Sequence, residues 1–159
     1  MRRFFASLVH AEMQRAGSIA VVTTDLGHGI WDAVRSDYPD RFFNVGAAEQ
    51  AAAGVGIGLA LAGKLPIVYS ITPFLLCRPF ELWRLYVGRE LIPVKLVGSG
   101  RAREYLRDGP THWADDDATI LSMWPGVEAF WPTDEADLHE IFHGFLWSRK
   151  PAYLNLRRS

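Results

Sequence analysis

Residues 41–63, with the sequence RFFNVGAAEQAAAGVGIGLALAG, restrict the fold more than any other stretch of the chain. The stretch begins as a short apolar run, turns at Gly46 and continues as a helix built almost entirely from Ala, Gly, Val, Ile and Leu. Such small residues let other backbone approach closely on all sides, so we expect the helix to be buried. Its one carboxylate, Glu49, lies in the first turn and needs a partner, because an unpaired buried charge is costly.

Apolar strand-like runs alternate with helical patterns along the whole chain. The predicted strands are residues 19–23, 42–45, 65–70, 93–97, 127–131 and 152–156. The predicted helices are residues 4–15, 30–37, 47–62, 74–89, 115–123 and a last one that follows a Thr133 N-cap and runs to about residue 147. This order predicts an α/β fold: a doubly wound, mainly parallel six-stranded sheet with helices on both faces.

Composition indicates an ordinary globular domain. A chain of 159 residues with 49% hydrophobic and 22% charged residues forms one domain with a substantial core. The net charge of -1 gives no electrostatic reason to expect a nucleic acid or a membrane as a partner. The single cysteine, Cys77, excludes an internal disulfide and fits a reducing compartment.

Two further features of the sequence favour the cytoplasm. The apolar run at residues 51–62 is shorter than the roughly 18 residues of a membrane span. The N-terminal apolar residues are interrupted by Ser7, His10 and Glu12, so they do not form a signal-peptide core. We therefore expect a cytoplasmic protein.

The segments that follow the strands hold the polar residues with chemical potential. In doubly wound sheets, ligands bind outside the carboxyl ends of the strands. Glu49, Asp108 and His112 all fall on this edge of the predicted sheet, which allows them to meet.

Several sequence motifs for other chemistry are absent. The sequence has no GxGxxG, P-loop, HExxH, CxxC or GxSxG pattern. His139 and His143 have i, i+4 spacing, but they share their helix with Phe142 and Phe145, which favours a packed helix face. We therefore predict no metal site within this chain.

Four segments of the chain, in order, resemble the pyrimidine-binding domain of the transketolase family. They are NVGAAEQAAAGVGIGLALAGKLPIVYS, PFLLCRPFELWR, PVKLVGSG and DGPTHWADDDATILSMWPGVEAFWPTDEADL. The resemblance covers almost the whole chain, from about residue 21 to residue 158. The family includes transketolases, deoxyxylulose-phosphate synthases and the β subunits of 2-oxo acid dehydrogenases.

The resemblance implies thiamine diphosphate as cofactor, bound between two domains. One domain holds the diphosphate through Mg²⁺, and the domain that this chain resembles holds the aminopyrimidine. The resemblance makes Glu49 the catalytic carboxylate that hydrogen-bonds the pyrimidine nitrogen N1′. We identify no cation within the same motif to pair with Glu49, so the ring nitrogen is its expected partner. From the residues alone, a charge that only complements its helix dipole is the favoured explanation of Glu49, and the resemblance reverses that preference.

Other site residues follow from the same resemblance. Phe74 matches the aromatic residue that stacks on the pyrimidine, while Arg78 and Phe80 line the same pocket. Asp25 matches a transketolase carboxylate near the cofactor. From the residues alone, Phe74 and Phe80 are also explained as core, Arg78 as a surface charge and Asp25 as a turn residue.

The substrate end of the site is implied in the same way. Asp108 and His112 match residues that contact the donor sugar's hydroxyls and its carbonyl oxygen, and His112 would transfer a proton or stabilise an oxyanion. Arg157 matches an arginine that binds substrate phosphate. The alternatives are a loop histidine bonded to backbone for His112 and a surface charge for Arg157.

The sequence departs from the family pattern in its extent. The diphosphate-binding domain and the C-terminal domain are not found in residues 1–159. We therefore expect a single transketolase-like domain that is active only with a larger subunit, which carries the diphosphate-binding domain and holds Mg²⁺. The family pairing suggests an α2β2 assembly with self-association.

Three functional hypotheses remain open. The leading one is a subunit of a split transketolase that transfers a two-carbon ketol unit between sugars. However, residues 98–106 lack the family's histidine, and His28 and Gly29 replace its serine, so the substrate is an unusual sugar in this hypothesis. The second is a subunit of a decarboxylating 2-oxo acid ligase or a dehydrogenase β subunit. The third is a non-catalytic, partner-binding domain.

Overall fold

A computed structural model describes residues 1–158, which form one sheet with helices on both faces. The strands are β1 (Ile19–Thr23), β2 (Phe42–Asn44), β3 (Leu65–Ile71), β4 (Lys95–Ser99), β5 (Glu128–Phe130) and β6 (Ala152–Leu156). The helices are α1 (Arg2–Arg15), α2 (Asp32–Asp37), α3 (Glu49–Leu61), α4 (Thr72–Cys77), α5 (Phe80–Leu82), α6 (Asp117–Ser122) and α7 (Glu135–Trp147). Short 3₁₀ turns cover Pro39–Arg41, Leu106–Asp108 and Pro110–His112.

The six strands are all parallel and lie in the order β2-β1-β3-β4-β6-β5. Val21 of β1 lies opposite Phe42 of β2 and Ile67 of β3, which sets the register of the central strands. The predicted α/β fold, a parallel six-stranded sheet with helices on both faces, is confirmed.

Alternate residues of each strand supply two separate cores. Val21 and Ile67 face the cluster formed with α1, α2 and α7, whereas Val22 and Val68 face the cluster formed with α3, α4 and α6. Both faces of a parallel sheet are covered in this way, which explains why its strands are apolar throughout instead of alternating with polar residues.

Helix α3 packs closely on β3 at Gly56. A Cβ added at Gly56 would lie 2.6 Å from Val68 Cγ2, so only glycine allows this approach. The opposite side of α3 is different: Gly54 and Gly58 have nothing within 4 Å of an added Cβ, and Leu61 is 66% exposed. The expectation of a helix buried on all sides is therefore wrong, because one small-residue face is open.

The single helix predicted for residues 74–89 is interrupted at Pro79. Proline has no backbone N–H, so the carbonyl of Leu75 lacks its helical donor. The indole Nε1 of Trp83 donates to that carbonyl at 2.7 Å, and the chain continues through α5 into a π-helical turn, Trp83–Val87. The break leaves Arg78 at the end of α4, free to turn toward the edge of the sheet.

Two predicted element boundaries are displaced by local hydrogen bonds. Strand β4 begins at Lys95 and not at residue 93, because the N–H of Val94 is used in a turn to the carbonyl of Ile92. The N-cap of α7 is Asp134 and not Thr133: Asp134 Oδ1 accepts a hydrogen bond from the N–H of Asp137 at 2.9 Å.

Candidate functional site

The segments that follow β1, β2 and β3 come together at the carboxyl edge of the sheet, and the place where Glu49, Phe74 and Arg78 meet there is the crevice. The chain leaves β1 toward β2 on one side and leaves β3 toward β4 on the other, so the crevice lies at the topological switch point of the sheet. Thr24 Oγ1 and Ser70 Oγ are buried and lie 2.9 Å apart, which ties the ends of β1 and β3 together.

Glu49 lies in this crevice at the first residue of α3. Gly46, with φ of +74°, makes the turn between β2 and the helix. The side chain of Glu49 is 5% exposed, as expected, but it has a partner within the chain: Arg78 Nη1 donates to Glu49 Oε2 at 2.7 Å. The expectation that no cation pairs with Glu49 is therefore wrong. The partner was missed because it belongs to a different helix.

Phe74 presents its ring to the same crevice from α4. The guanidinium carbon of Arg78 lies 3.7 Å from the centroid of this ring, within range of a cation–π contact. Arg78 therefore touches Glu49 and Phe74 at the same time, and its side chain is 47% exposed. The structure brings these three predicted residues together.

His112 also contacts the ring of Phe74. The two ring centroids are 4.7 Å apart with an interplanar angle of 66°. His112 Nδ1 lies 2.9 Å from Thr111 Oγ1, so the hydroxyl orients the imidazole. A cavity of about 350 Å³ opens beside this cluster and is lined by Pro73, Phe74, Cys77, Arg78, Pro110, Thr111, Trp113 and Asp116.

The loop that carries His112 is fastened at both ends. Ala102 and Ala114 form an antiparallel bridge. Arg103 donates to Asp115 Oδ2 at 2.8 Å and lies 4.5 Å over the ring of Trp113. These contacts restrain both ends of the segment that contains Asp108 and His112.

Asp25 lies at the end of β1 in a left-handed conformation, with φ of +58°. Asn44 fixes it there: Asn44 Nδ2 donates to Asp25 Oδ1 at 3.2 Å, and the N–H of Asp25 donates to Asn44 Oδ1 at 2.9 Å. These two hydrogen bonds position the carboxylate within its loop. Its role toward a ligand stays a prediction.

The other predicted site residues lie apart from this cluster. Phe80 packs against Trp124, with ring centroids 5.5 Å apart, among residues of the second core. Asp108 is exposed at the end of a 3₁₀ turn. Arg157 is exposed at the end of β6. The roles given to these three residues also stay predictions.

A cationic pocket that we did not predict lies on the same edge. Its volume is about 390 Å³, and its lining includes Arg2, Arg3, His28 and Arg158 together with one carboxylate, Glu135, which pairs with the N-terminal amine at 3.1 Å. Arg2 donates to the carbonyl of Arg158, which brings the first helix to the end of the last strand. The pocket was missed because its arginines come from opposite ends of the chain.

Asp117 forms a second buried site in the first turn of α6. Its Oδ2 accepts hydrogen bonds from Trp131 Nε1 at 2.8 Å, from Tyr153 at 2.9 Å and from Asn155 Nδ2 at 2.8 Å. Burial, followed by the charge of Asp117, raises the pKa of Tyr153 well above its usual range, so the hydroxyl stays a neutral donor. Two of the donors lie on β6 and the third lies just after β5, so no local sequence pattern indicates them.

The arrangement around Glu49 suits a flat ring that can donate a hydrogen bond. A buried carboxylate offers the acceptor, and the face of Phe74 offers a stacking surface. His112 beside it can donate or accept a proton. Within residues 1–158, no group of three His, Cys, Asp or Glu side chains is placed to hold a metal ion. The same residues contain no helix long and apolar enough to cross a membrane.

Comparison with known proteins identifies relatives of the whole chain. The family model for the transketolase pyrimidine-binding domain matches residues 1–159. The 6-deoxy-6-sulfo-D-fructose transketolase subunit SqwH of Clostridium sp. (strain MSTE9) is 35% identical over 120 residues, covering 76% of this chain and 37% of that protein. The 1-deoxy-D-xylulose-5-phosphate synthase of Corynebacterium glutamicum (strain R) is 34% identical over 140 residues, covering 88% and 22%.

A solved structure agrees with these relatives. The split gene transketolase described as an inactive β4 tetramer superposes with a TM-score of 0.86 at 27% identity, over 99% of this chain and 50% of that one. The chain thus spans at most half the length of these relatives. The match along all 159 residues shows that the chain belongs to the transketolase pyrimidine-binding-domain family.

Proposed function

We propose that this chain is the pyrimidine-binding subunit of a split, thiamine-diphosphate-dependent transketolase that transfers a two-carbon ketol unit between sugars or sugar-like substrates. One observation carries the proposal: the carboxylate of Glu49, 5% exposed, lies in the same crevice as the ring of Phe74, and Arg78 contacts both. Both residues hold the positions that the family resemblance assigns to pyrimidine binding.

The residues in the crevice fit an aminopyrimidine. The guanidinium of Arg78 is itself a flat group with N–H donors, and it both stacks on Phe74 and donates to Glu49. An aminopyrimidine with a protonated ring nitrogen has the same two properties. Glu49 and Phe74 can therefore bind such a ring once Arg78 moves aside.

Each residue of this chain then has a defined task. The bound cofactor supplies a carbon nucleophile and an electron sink for carbon–carbon bond transfer. Glu49 shares a proton with ring nitrogen N1′, in an environment where few waters compete for that proton. Phe74 fixes the plane of the ring by stacking. His112 holds or delivers a proton at the carbonyl oxygen of the substrate.

The substrate extends along the same edge of the sheet in this proposal. Asp108 accepts hydrogen bonds from substrate hydroxyls, and Asp25 lies on the cofactor side. The cationic pocket that includes Arg2, Arg3 and Arg158 suits an anionic group at the far end of the substrate, with Arg157 beside it. The positions suit an anionic sugar substrate that carries a phosphate or a sulfonate.

A larger partner subunit completes the enzyme in this proposal. The relative from Clostridium is itself a transketolase subunit, and the chain covers 37% of it. The exposed face of α3, which contains Gly54, Gly58 and Leu61, begins one turn from Glu49 and suits close packing by a partner. The partner carries the diphosphate-binding domain and holds Mg²⁺, and the assembly is α2β2. The related split transketolase tetramer of one subunit type is described as inactive, which supports this requirement.

A decarboxylating ligase is the second candidate. It is favoured by the 34% identity to a 1-deoxy-D-xylulose-5-phosphate synthase over 140 residues. The same pyrimidine site serves both reactions, so only the substrate separates the two candidates. A non-catalytic role is disfavoured by the joint presence of Glu49, Phe74 and His112 in one crevice.

The test is an assay of the complex with its partner subunit and an aldose acceptor, using a ketose donor in one arm and pyruvate in the other. We expect bound thiamine diphosphate in the complex, ketol transfer from the ketose, and no turnover by the isolated chain. Gly58→Trp, at a position with open space around its Cβ, should prevent assembly without unfolding the isolated chain. Turnover with pyruvate alone would favour the ligase, and full activity of the isolated chain would contradict the requirement for a partner.

A further inference from the structure

We propose that Arg78 is an internal competitor of the cofactor: its guanidinium and the aminopyrimidine ring use the same two contacts, so they cannot occupy the crevice together. The inference rests on the proposed function, since it concerns the same site. It assigns to Arg78 the opposite effect from a residue that lines the pocket and helps to hold the ring.

The first support is the geometry of the two contacts. Arg78 Nη1 donates to Glu49 Oε2 at 2.7 Å, and the guanidinium carbon lies 3.7 Å from the centroid of Phe74. One ring face holds one stacked group, so a pyrimidine that stacks on Phe74 where the guanidinium lies must take its place, and the Glu49 oxygen that Arg78 occupies is then open to the ring. Binding of the pyrimidine to Glu49 and Phe74 therefore displaces the guanidinium.

The second support is that the side chain of Arg78 has room to leave. It is 47% exposed and stands at the end of α4, directly before Pro79. The cavity of about 350 Å³ beside it also has Asp116 in its lining. This carboxylate is exposed, and no α6 backbone N–H donates to its side chain. Asp116 therefore offers the displaced guanidinium a new partner.

Two states follow, one with Arg78 on Glu49 and one with Arg78 turned toward Asp116. Only the second binds the pyrimidine, so the apparent Kd is the intrinsic value divided by the fraction of that state. If the first state is favoured by about ten to one, removing the competitor lowers the apparent Kd about tenfold. Asp116→Asn should instead raise the apparent Kd, because it destabilises the state in which Arg78 is turned toward Asp116.

The experiment measures binding of thiamine diphosphate with Mg²⁺ to the reconstituted complex by isothermal titration calorimetry. Arg78→Ala should lower the Kd about tenfold, and Asp116→Asn should raise it severalfold. Arg78→Lys keeps a positive charge opposite Glu49 but loses the flat stacking group, so it should also bind more tightly than the wild type. It remains informative where Arg78→Ala does not fold. Arg15→Ala removes an exposed, ion-paired arginine at the opposite edge of the sheet and should leave the Kd unchanged.

A Glu49→Gln complex separates failure of this inference from failure of the proposed function. If Glu49→Gln weakens binding while both Arg78 variants bind as the wild type or more weakly, Arg78 helps to hold the cofactor, and the competition is excluded. If the double variant Glu49→Gln, Arg78→Ala binds as tightly as Arg78→Ala alone, the pyrimidine does not bind at Glu49, and the proposed function falls together with the competition. Tighter binding by both Arg78 variants supports the competition.

Discussion

Glu49 and Asp117 are both buried carboxylates at the carboxyl edge of the sheet, but their partners differ. Asp117 is 7% exposed and its Oδ2 accepts hydrogen bonds from three neutral donors, which are themselves fixed on strands or beside them. Glu49 is 5% exposed and is held by one cation, Arg78, whose side chain is about half exposed.

The difference separates a structural carboxylate from one that is available to a ligand. The donors around Asp117 cannot leave without disrupting β6 and the end of β5, so the network stabilises the fold. The donor of Glu49 can swing into solvent, because it is a long side chain at a helix end. Burial alone therefore does not identify the reactive group; the mobility of its partner does.

The largest expected effect on stability is at Asp117. Asp117→Ala leaves the buried donors of Trp131 and Tyr153 unpaired and removes one of the acceptors of Asn155, so we expect the free energy of unfolding to fall by about 3 kcal/mol or more. Urea denaturation of the isolated chain measures it. The matched control is Asp116→Ala, an exposed neighbour, which should change stability by about 0.5 kcal/mol or less. Equal effects of the two substitutions would show that the network is not structural.

Lys95 extends the comparison to a buried cation with fixed partners. Its Nζ donates to the carbonyls of Ser148 and Lys150 at 2.8 and 2.7 Å. Burial lowers the pKa of Lys95 to about 8 from 10.5, and Glu128 offsets part of this change. Between these values the folded chain binds fewer protons than the unfolded chain, so stability rises with pH across this window.

We expect one substitution at Lys95 to flatten the pH dependence of the free energy of unfolding. The free energy of unfolding should increase between pH 8 and pH 10.5 in the wild type. In this range Lys95 is mostly neutral in the folded chain but still protonated in the unfolded chain. Lys95→Met should flatten this rise, and Lys64→Met, at an exposed position, should keep it. A slope that is the same in all three chains would contradict the burial of a charged lysine.

The smallest expected effect on stability is at Glu49. Glu49→Gln keeps an oxygen acceptor for Arg78, which is half exposed and can also turn to water. We expect the isolated chain to lose about 1 kcal/mol or less, measured by the same urea titration. A loss as large as that of Asp117→Ala would remove the distinction between the two carboxylates.

Most of the fold was predictable from local patterns. The apolar runs of β1 and β6 and the glycine-rich α3 mark the alternating order directly, since burial on both faces makes strands apolar. Interruptions were harder: the helix after β3 breaks at Pro79 and is then stabilised by Trp83, whose indole donates to the freed carbonyl of Leu75. That contact depends on packing and not on spacing.

The candidate site was only partly predictable, for the same reason. Glu49, Phe74 and His112 were identified by their family motifs, and the structure brings Phe74 within 4.7 Å of His112. Glu49 begins α3 and Arg78 stands at the end of α4, 29 positions later, so no motif contains both residues. Likewise, the arginines of the cationic pocket come from residues 2, 3 and 158. Local sequence signals define elements, whereas partners depend on how the elements meet.

The most direct test of the account is the turnover of a Glu49→Gln complex at saturating thiamine diphosphate, compared with the wild-type complex. If Glu49 is the acid that activates the cofactor, turnover should fall by about 10²–10⁴-fold, the range expected when a positioned proton donor is lost. The isolated Glu49→Gln chain should remain about as stable as the wild type. Wild-type turnover by this complex would contradict the central role of Glu49.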